Sequence, residues 1–136
     1  DEKKAGKYRK EAAVITGSKY PLPSPKQLPS LMQDFLLQIK TYRKSKHPVE
    51  VAALCHKEFV FIHPFIDGNG RVARLLMNLI LLQEGYSVAV IPPITRSAYI
   101  ESLELSHVQD KEFIHFIASR VRETQKDFIR LFLSQD

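Results

Sequence analysis

Cysteine occurs once in the 136 residues, at Cys55, so no disulfide can form within the chain. Its place on an apolar helical face reads as a packed thiol rather than a nucleophile. A reducing, cytoplasmic setting is the default for such a chain. Long hydrophobic runs are also lacking. The apolar stretch near Leu75 to Leu82 falls well short of the roughly 20 residues a membrane-spanning helix needs, which excludes a membrane partner. The chain begins at Asp1 with no apolar leader, and reads as a segment excised from a longer protein without a signal peptide. The formal charge of +5 raises nucleic acid as a partner, with positive residues gathered in Lys3 to Lys10 and Lys40 to Lys46. Neither cluster is interleaved with several aromatics and no nucleic-acid motif follows, so both read as solvated faces and nucleic acid is not an expected partner. A basic rim beside a nucleotide site would still help to steer it.

What is present fits one domain over residues 1–136, since 44% of residues are hydrophobic and can bury a core. After a charged, frayed start (Asp1 to Lys10), Glu11 to Tyr20 changes character. Ala13, Val14, Ile15 and Thr16 favour extended backbone and Gly17-Ser18 signals a turn, which predicts a short β-hairpin. Pro21, Pro23 and Pro25 then make a stiff connector. A helix is predicted from about Pro29 to Lys44, with Leu31, Phe35, Ile39 and Tyr42 as its apolar stripe. Pro48 opens a second, with Val51, Leu54, Cys55, Phe59 and Ile62 on one buried face. His47 and His56 read as surface or hydrogen-bonded residues, not metal ligands. Arg71 to Gln83 reads as a helix buried on most sides and stopped by Gly85. Thr95 and Asp110 are placed as N-caps of two further helices, the last buried through Phe113, Ile117, Val121, Phe128 and Phe132. The fold class predicted is all-α, a compact helical bundle with one short hairpin.

Between the second and third helices lies His63-Pro-Phe-Ile-Asp-Gly-Asn-Gly-Arg-Val-Ala-Arg74. The first N–H groups of a helix have no partner within it and present the positive end of its dipole, a natural seat for phosphate. Gly68 and Gly70 allow a sharp turn and close approach of a ligand. Asn69 can donate from side chain and backbone, and Arg71 and Arg74, three apart, project from one face toward phosphate oxygens. Asp67 is a hard oxygen ligand of the kind magnesium takes, and His63 can remove a proton near neutral pH. Asp-Gly-Asn-Gly is often only a turn, and an arginine pair is usually a solvated face. An EF-hand loop fails, because its first and twelfth positions would be Phe65 and Leu76. The joint order of base, acid, glycines and arginines points to phosphoryl or nucleotidyl transfer to a hydroxyl.

These residues resemble the signature of the Fic (filamentation induced by cAMP) domain family: His-Pro-Phe, any residue, Asp or Glu, Gly-Asn-Gly-Arg, two residues, Arg. Every fixed place is filled, and the similarity runs from about Tyr8 to about Phe132. The resemblance implies a protein adenylyltransferase that moves AMP from ATP to a Ser, Thr or Tyr hydroxyl of a target, or of itself. By motif position His63 is the catalytic base, Asp67 holds magnesium, and Asn69 with the Gly68 and Gly70 backbone binds phosphate. Arg71 and Arg74 orient the outer phosphates, while Pro64 and Phe65 are structural, Phe65 anchoring the loop. The 11–20 hairpin becomes a flap in which the backbone of Val14, Ile15, Thr16 and Gly17 docks the target by strand addition. Tyr99 and Leu103 form a face that packs on the core or, by the resemblance, approaches the adenine. The same site would also suit removal of AMP, another phosphate or nucleotide transfer, or a regulatory nucleotide-binding module of low turnover. Many members carry an inhibitory glutamate that pairs with the second arginine, here Arg74. Glu123 is the nearest candidate but reads as solvated, and the inhibitory residue is expected upstream of Asp1.

Overall fold

His47 accepts the Val49 N–H through Nδ1 at 3.2 Å and thereby caps the helix that Pro48 begins. That helix is the axis of the molecule. The computed structural model describes residues 4–134, so the part of the basic amino-terminal cluster before Lys4 lies outside the described residues. The helices are α1 (Leu28–Ser45), α2 (Pro48–Ile62), α3 (Asn69–Gln83), α4 (Arg96–Leu105) and α5 (Lys111–Leu133). Single 3-10 turns at Pro25–Gln27 and Pro93–Thr95 lead into α1 and α4.

α2 is buried over more than one face: Val51, Ala52, Ala53, Leu54, Cys55, His56 and Phe59 are all inaccessible. It packs against α1, α3 and α5, which leaves it almost no solvent side. Phe35 of α1 meets Phe59 edge-on at 5.9 Å, and Leu31, Ile39 and Tyr42 pack around it. α3 differs from the expectation of a helix buried on most sides. Ala73, Met77, Ile80 and Leu81 face α2, but Leu75, Leu79 and Leu82 are exposed. These three are spaced four and three apart on the opposite face, and no described element covers them.

The last helix follows its predicted stripe only halfway. Phe113, Ile117 and Val121 are buried, whereas Phe128 and Phe132 are 49% and 74% exposed. The 23 residues of α5 span about 35 Å at the helical rise, so its end outruns the shorter α2 and leaves the body of the protein. Thr95 and Asp110 do occupy N-cap positions, but neither side chain caps. Thr95 donates to the Pro92 carbonyl at 2.8 Å, and Asp110 pairs with Lys57 at 2.5 Å.

The fold is all-α, and the predicted hairpin is corrected: no β-strand occurs among the described residues. Residues 11–20 form an extended loop with one turn, closed by the Ser18 N–H on the Ile15 carbonyl at 3.1 Å. Two donors on the turn's outgoing side go to α4 instead of a partner strand. Ser18 Oγ and the Lys19 N–H both donate to Glu104 Oε1, at 3.0 and 3.1 Å. The prolines at 21, 23 and 25 remove the further donors a returning strand would need.

Candidate active site

At the end of α2 the chain turns sharply at His63, whose φ of 51° and ψ of 58° lie in the left-handed region. It is the one non-glycine residue with positive φ among those described, a strained conformation that functional sites tend to hold. Its Nδ1 lies 3.2 Å from the Val60 carbonyl, which only accepts, so Nδ1 carries the proton. Nε2 is left with a free lone pair on the cleft that His63 lines. Burial holds the imidazole below its ordinary pKa; the Val60 bond opposes this and the charge of Arg9 adds to it.

The loop after His63 is held by its own side chains. Asn69 Nδ2 donates to the Phe65 carbonyl at 2.8 Å, and Asn69 Oδ1 accepts the Phe65 N–H at 2.9 Å. The Asn69 amide, expected to reach phosphate, is engaged first with the loop itself through both of its polar atoms, and the residue is buried. What Asn69 offers a ligand is its backbone N–H at the start of α3. Pro64 is buried, and the Phe65 ring lies 6.2 Å from Phe59 and from Tyr8.

α3 begins after Gly68, which takes φ +83° and donates its N–H to Asp67 Oδ1 at 2.7 Å. The first three N–H groups of α3, at Asn69, Gly70 and Arg71, have no acceptor within the helix. A Cβ built on Gly70 would meet no protein atom within 4 Å, so the space over this helix start is open to a ligand. Arg71 pairs with Asp67 at 3.1 Å, both well exposed, and a surface pair of this kind yields easily to a competing anion.

Arg74 is partly buried and sits beside two rings that the sequence did not link to it. Tyr99 is buried, with its hydroxyl 3.0 Å from Nε2 of the fully buried His56. Burial first, then the Arg74 charge, pushes His56 down to about 3, so it is neutral. Burial raises Tyr99, and Arg74 pulls it back. Its ring also borders the cleft. His56 falls on the apolar spacing of α2, a signal of burial available in the sequence. At the far end His107 is stacked between Tyr20 at 3.8 Å and Phe61 at 3.6 Å.

The cleft, of about 990 Å³, brings predicted residues to one place: His63, Asp67 to Arg71, Arg74 and Ile15 to Gly17 all line it. Val14 is 84% exposed and lies outside it. Glu123, on α5, pairs with Lys126 at 2.9 Å and does not border the cleft. Among the described residues no three His, Cys, Asp or Glu side chains converge on a metal centre. One exposed carboxylate, Asp67, beside a phosphate seat suits magnesium, which takes few protein ligands and completes its shell with phosphate oxygens and water.

The chain is 43% identical over 126 residues to the protein adenylyltransferase Fic of Drosophila willistoni, covering 91% of this chain and 25% of that protein. The fold matches Fic-1 of C. elegans with a TM-score of 0.87 and 29% identity, over all of this chain and 40% of that one. A Fic-domain signaling protein of Bacteroides thetaiotaomicron matches at a TM-score of 0.73 and 32% identity, over 93% of this chain and 53% of that one. The chain thus spans about a quarter of the length of the curated relative it matches. Residues 1–81, more than half of the sequence, match the Fic/DOC family profile, and the chain belongs to that family.

Proposed function

We propose that this chain is the catalytic core of a protein adenylyltransferase that transfers AMP from magnesium-bound ATP to a Ser, Thr or Tyr hydroxyl of a target protein. One observation carries the reading: the free Nε2 of His63 and the unpaired N-terminus of α3 border the same cleft. The name of the Drosophila relative supports it. In the proposed reaction His63 takes the proton of the incoming hydroxyl, whose oxygen attacks the α phosphorus. The bond from that phosphorus to the bridging oxygen breaks, and pyrophosphate leaves. The N–H groups of Asn69 to Arg71 hold the phosphates, with Arg71 and Arg74 on the outer ones. Their work is positioning and electrostatics, fixed before substrate arrives. Asp67 would hold magnesium, which supplies charge neutralisation among the phosphates when bound. The Ile15 to Gly17 backbone, which turns at Thr16 and Gly17 and has no partner strand among the described residues, would take an extended target segment. The same base could also act on the chain's own hydroxyls. No helix among the described residues is long and apolar enough to cross a membrane. A cytoplasmic setting fits the buried, unpaired thiol of Cys55.

ATP labelled at the α phosphate, incubated with the protein and a cell lysate, should label protein beyond what the lysate alone labels, while γ-labelled ATP should give no such increment. Label from the γ position would replace AMP transfer with phosphoryl transfer. Hydrolysis without protein labelling would leave only the nucleotide site.

Two substitutions test parts of this site. Asp67→Ala should weaken ATP binding about 10- to 100-fold when magnesium is present, the loss typical of removing a metal-site partner. Without magnesium the variant and wild type should bind alike, and an unchanged magnesium titration would remove Asp67 from the site. Ile15→Pro deletes a flap donor while leaving the phosphate loop untouched. Target labelling should fall at least tenfold with ATP affinity within about twofold; unchanged target kinetics would free the flap of any docking role.

A further inference from the structure

Arg9 lies in the basic cluster that composition assigns to solvent, yet it is the most buried charged residue among those described, at 3% exposure. No carboxylate among the described residues forms an ion pair with it. Its guanidinium instead donates to three backbone carbonyls: Nε to His63 at 2.8 Å, Nη1 to Glu11 at 3.0 Å and Nη2 to Pro23 at 2.6 Å. Its own N–H donates to the Pro64 carbonyl at 2.9 Å. A guanidinium keeps its charge when buried, so burial is tolerable only where its donors are satisfied, and here the acceptors are carbonyl dipoles aimed at it.

The three acceptors belong to three places that matter together. Glu11 and Pro23 are the two feet of the flap, and His63 is the residue assigned as base. One planar fork therefore closes the flap at its root and ties that root to the turn that presents the imidazole. The flap's other end is held independently, by Ser18 and Lys19 on Glu104. A flap pinned at root and tip keeps its free edge at a fixed distance from His63.

We propose that Arg9 is a positioning residue that sets the flap backbone and the His63 imidazole in one register for an incoming protein hydroxyl. This rests on the adenylyltransferase reading of the cleft. Arg9 touches neither nucleotide nor target; it acts through the carbonyls it holds. Lysine is a poor substitute, because a compact ammonium cannot span acceptors that a rigid fork reaches in different directions.

The test compares wild type with Arg9→Met and Arg9→Lys, using amide hydrogen exchange, ATP titration and transfer from α-labelled ATP into lysate proteins. In both variants the hydrogen-bonded flap amides, those of Ser18 and Lys19, should exchange at least tenfold faster while those of α2 keep their protection. ATP affinity should stay within about twofold, and transfer to protein should fall at least thirtyfold. A further readout separates positioning from mere stability. The influences on His63 are its burial, the Val60 carbonyl and the Arg9 charge. Its imidazole titration, followed by NMR, should therefore move up in Arg9→Met and less in Arg9→Lys. Wild-type flap exchange and transfer in a folded variant would overturn the proposal, as would ATP affinity falling in step with transfer. If only Arg9→Met fails to fold, Arg9→Lys decides. If both lose their helical spectrum, Arg9 is a folding residue and the proposal is overturned. A wild-type protein that labels nothing sinks the transferase reading alone, and the exchange and titration results then decide the clamp by themselves.

Discussion

His63→Ala is expected to lower AMP transfer by roughly two to four orders of magnitude, the share usual for a general base, with ATP affinity nearly unchanged. The split follows from the geometry. The imidazole proton is committed to Val60 through Nδ1, so the ring's one free atom is the basic Nε2, and the phosphate seat is built from other residues. Alanine in the left-handed conformation at this position adds backbone strain, so His63→Asn is the better companion variant. Asparagine tolerates that conformation but cannot take a proton. Both variants should be inactive with near-normal ATP binding. Equal loss of binding and turnover in both would make His63 structural, and activity retained in His63→Asn would exclude proton transfer as its role. The pH dependence carries a sign. Because burial lowers the folded-state pKa of His63, the neutral base persists below the pH at which a free imidazole is half protonated, about 6.5. The acid limb of the transfer rate should therefore lie below 6.5. A limb above it would contradict the environment that burial and Arg9 create.

The helices were legible because their apolar periodicity coincides with strong end signals. α1 was read as Pro29 to Lys44 and runs Leu28–Ser45; α2 was read from Pro48 and begins there. Periodicity reports which face is apolar, not whether something packs on it. That is why α3 reads as buried on most sides although Leu75, Leu79 and Leu82 are exposed, and why Phe128 and Phe132 fall on the predicted stripe of α5 without joining the core. The flap failed for a related reason. β-propensity in Ala13 to Thr16 marks extended backbone, but a hairpin also needs a partner with free donors, and Ser18 and Lys19 give theirs to Glu104, over eighty residues away. The motif loop was legible as a group of residue types at fixed spacing. The buried supports around it were not. Arg9 sits among lysines that look identical in composition, and only the fold shows that its side chain turns inward onto three carbonyls.

Asn69→Ala should be the most damaging change in the loop that leaves every expected ligand contact in place. The side chain closes a ring with Phe65, donating to its carbonyl and accepting its N–H, and the residue is 2% exposed. Truncation leaves both partly buried Phe65 groups without their partner, at a cost of about 1–3 kcal/mol in stability. The larger effect is on geometry. Phe65 and Asn69 bracket the turn that sets the distance from His63 to the first N–H groups of α3. A shift of about 1 Å there can cost on the order of 100-fold in rate, because both halves of the reaction are aligned through that turn. We expect transfer to fall at least 100-fold while the variant remains helical. Asn69→Asp separates the two bonds: its carboxylate can still accept the Phe65 N–H, but it faces the Phe65 carbonyl with a second acceptor. It should be impaired nearly as much as alanine. Near-normal transfer in Asn69→Asp would mean that the N–H bond alone holds the loop. Near-normal transfer in Asn69→Ala would mean that the Phe65 ring, packed between Tyr8 and Phe59, fixes the turn without any help from Asn69.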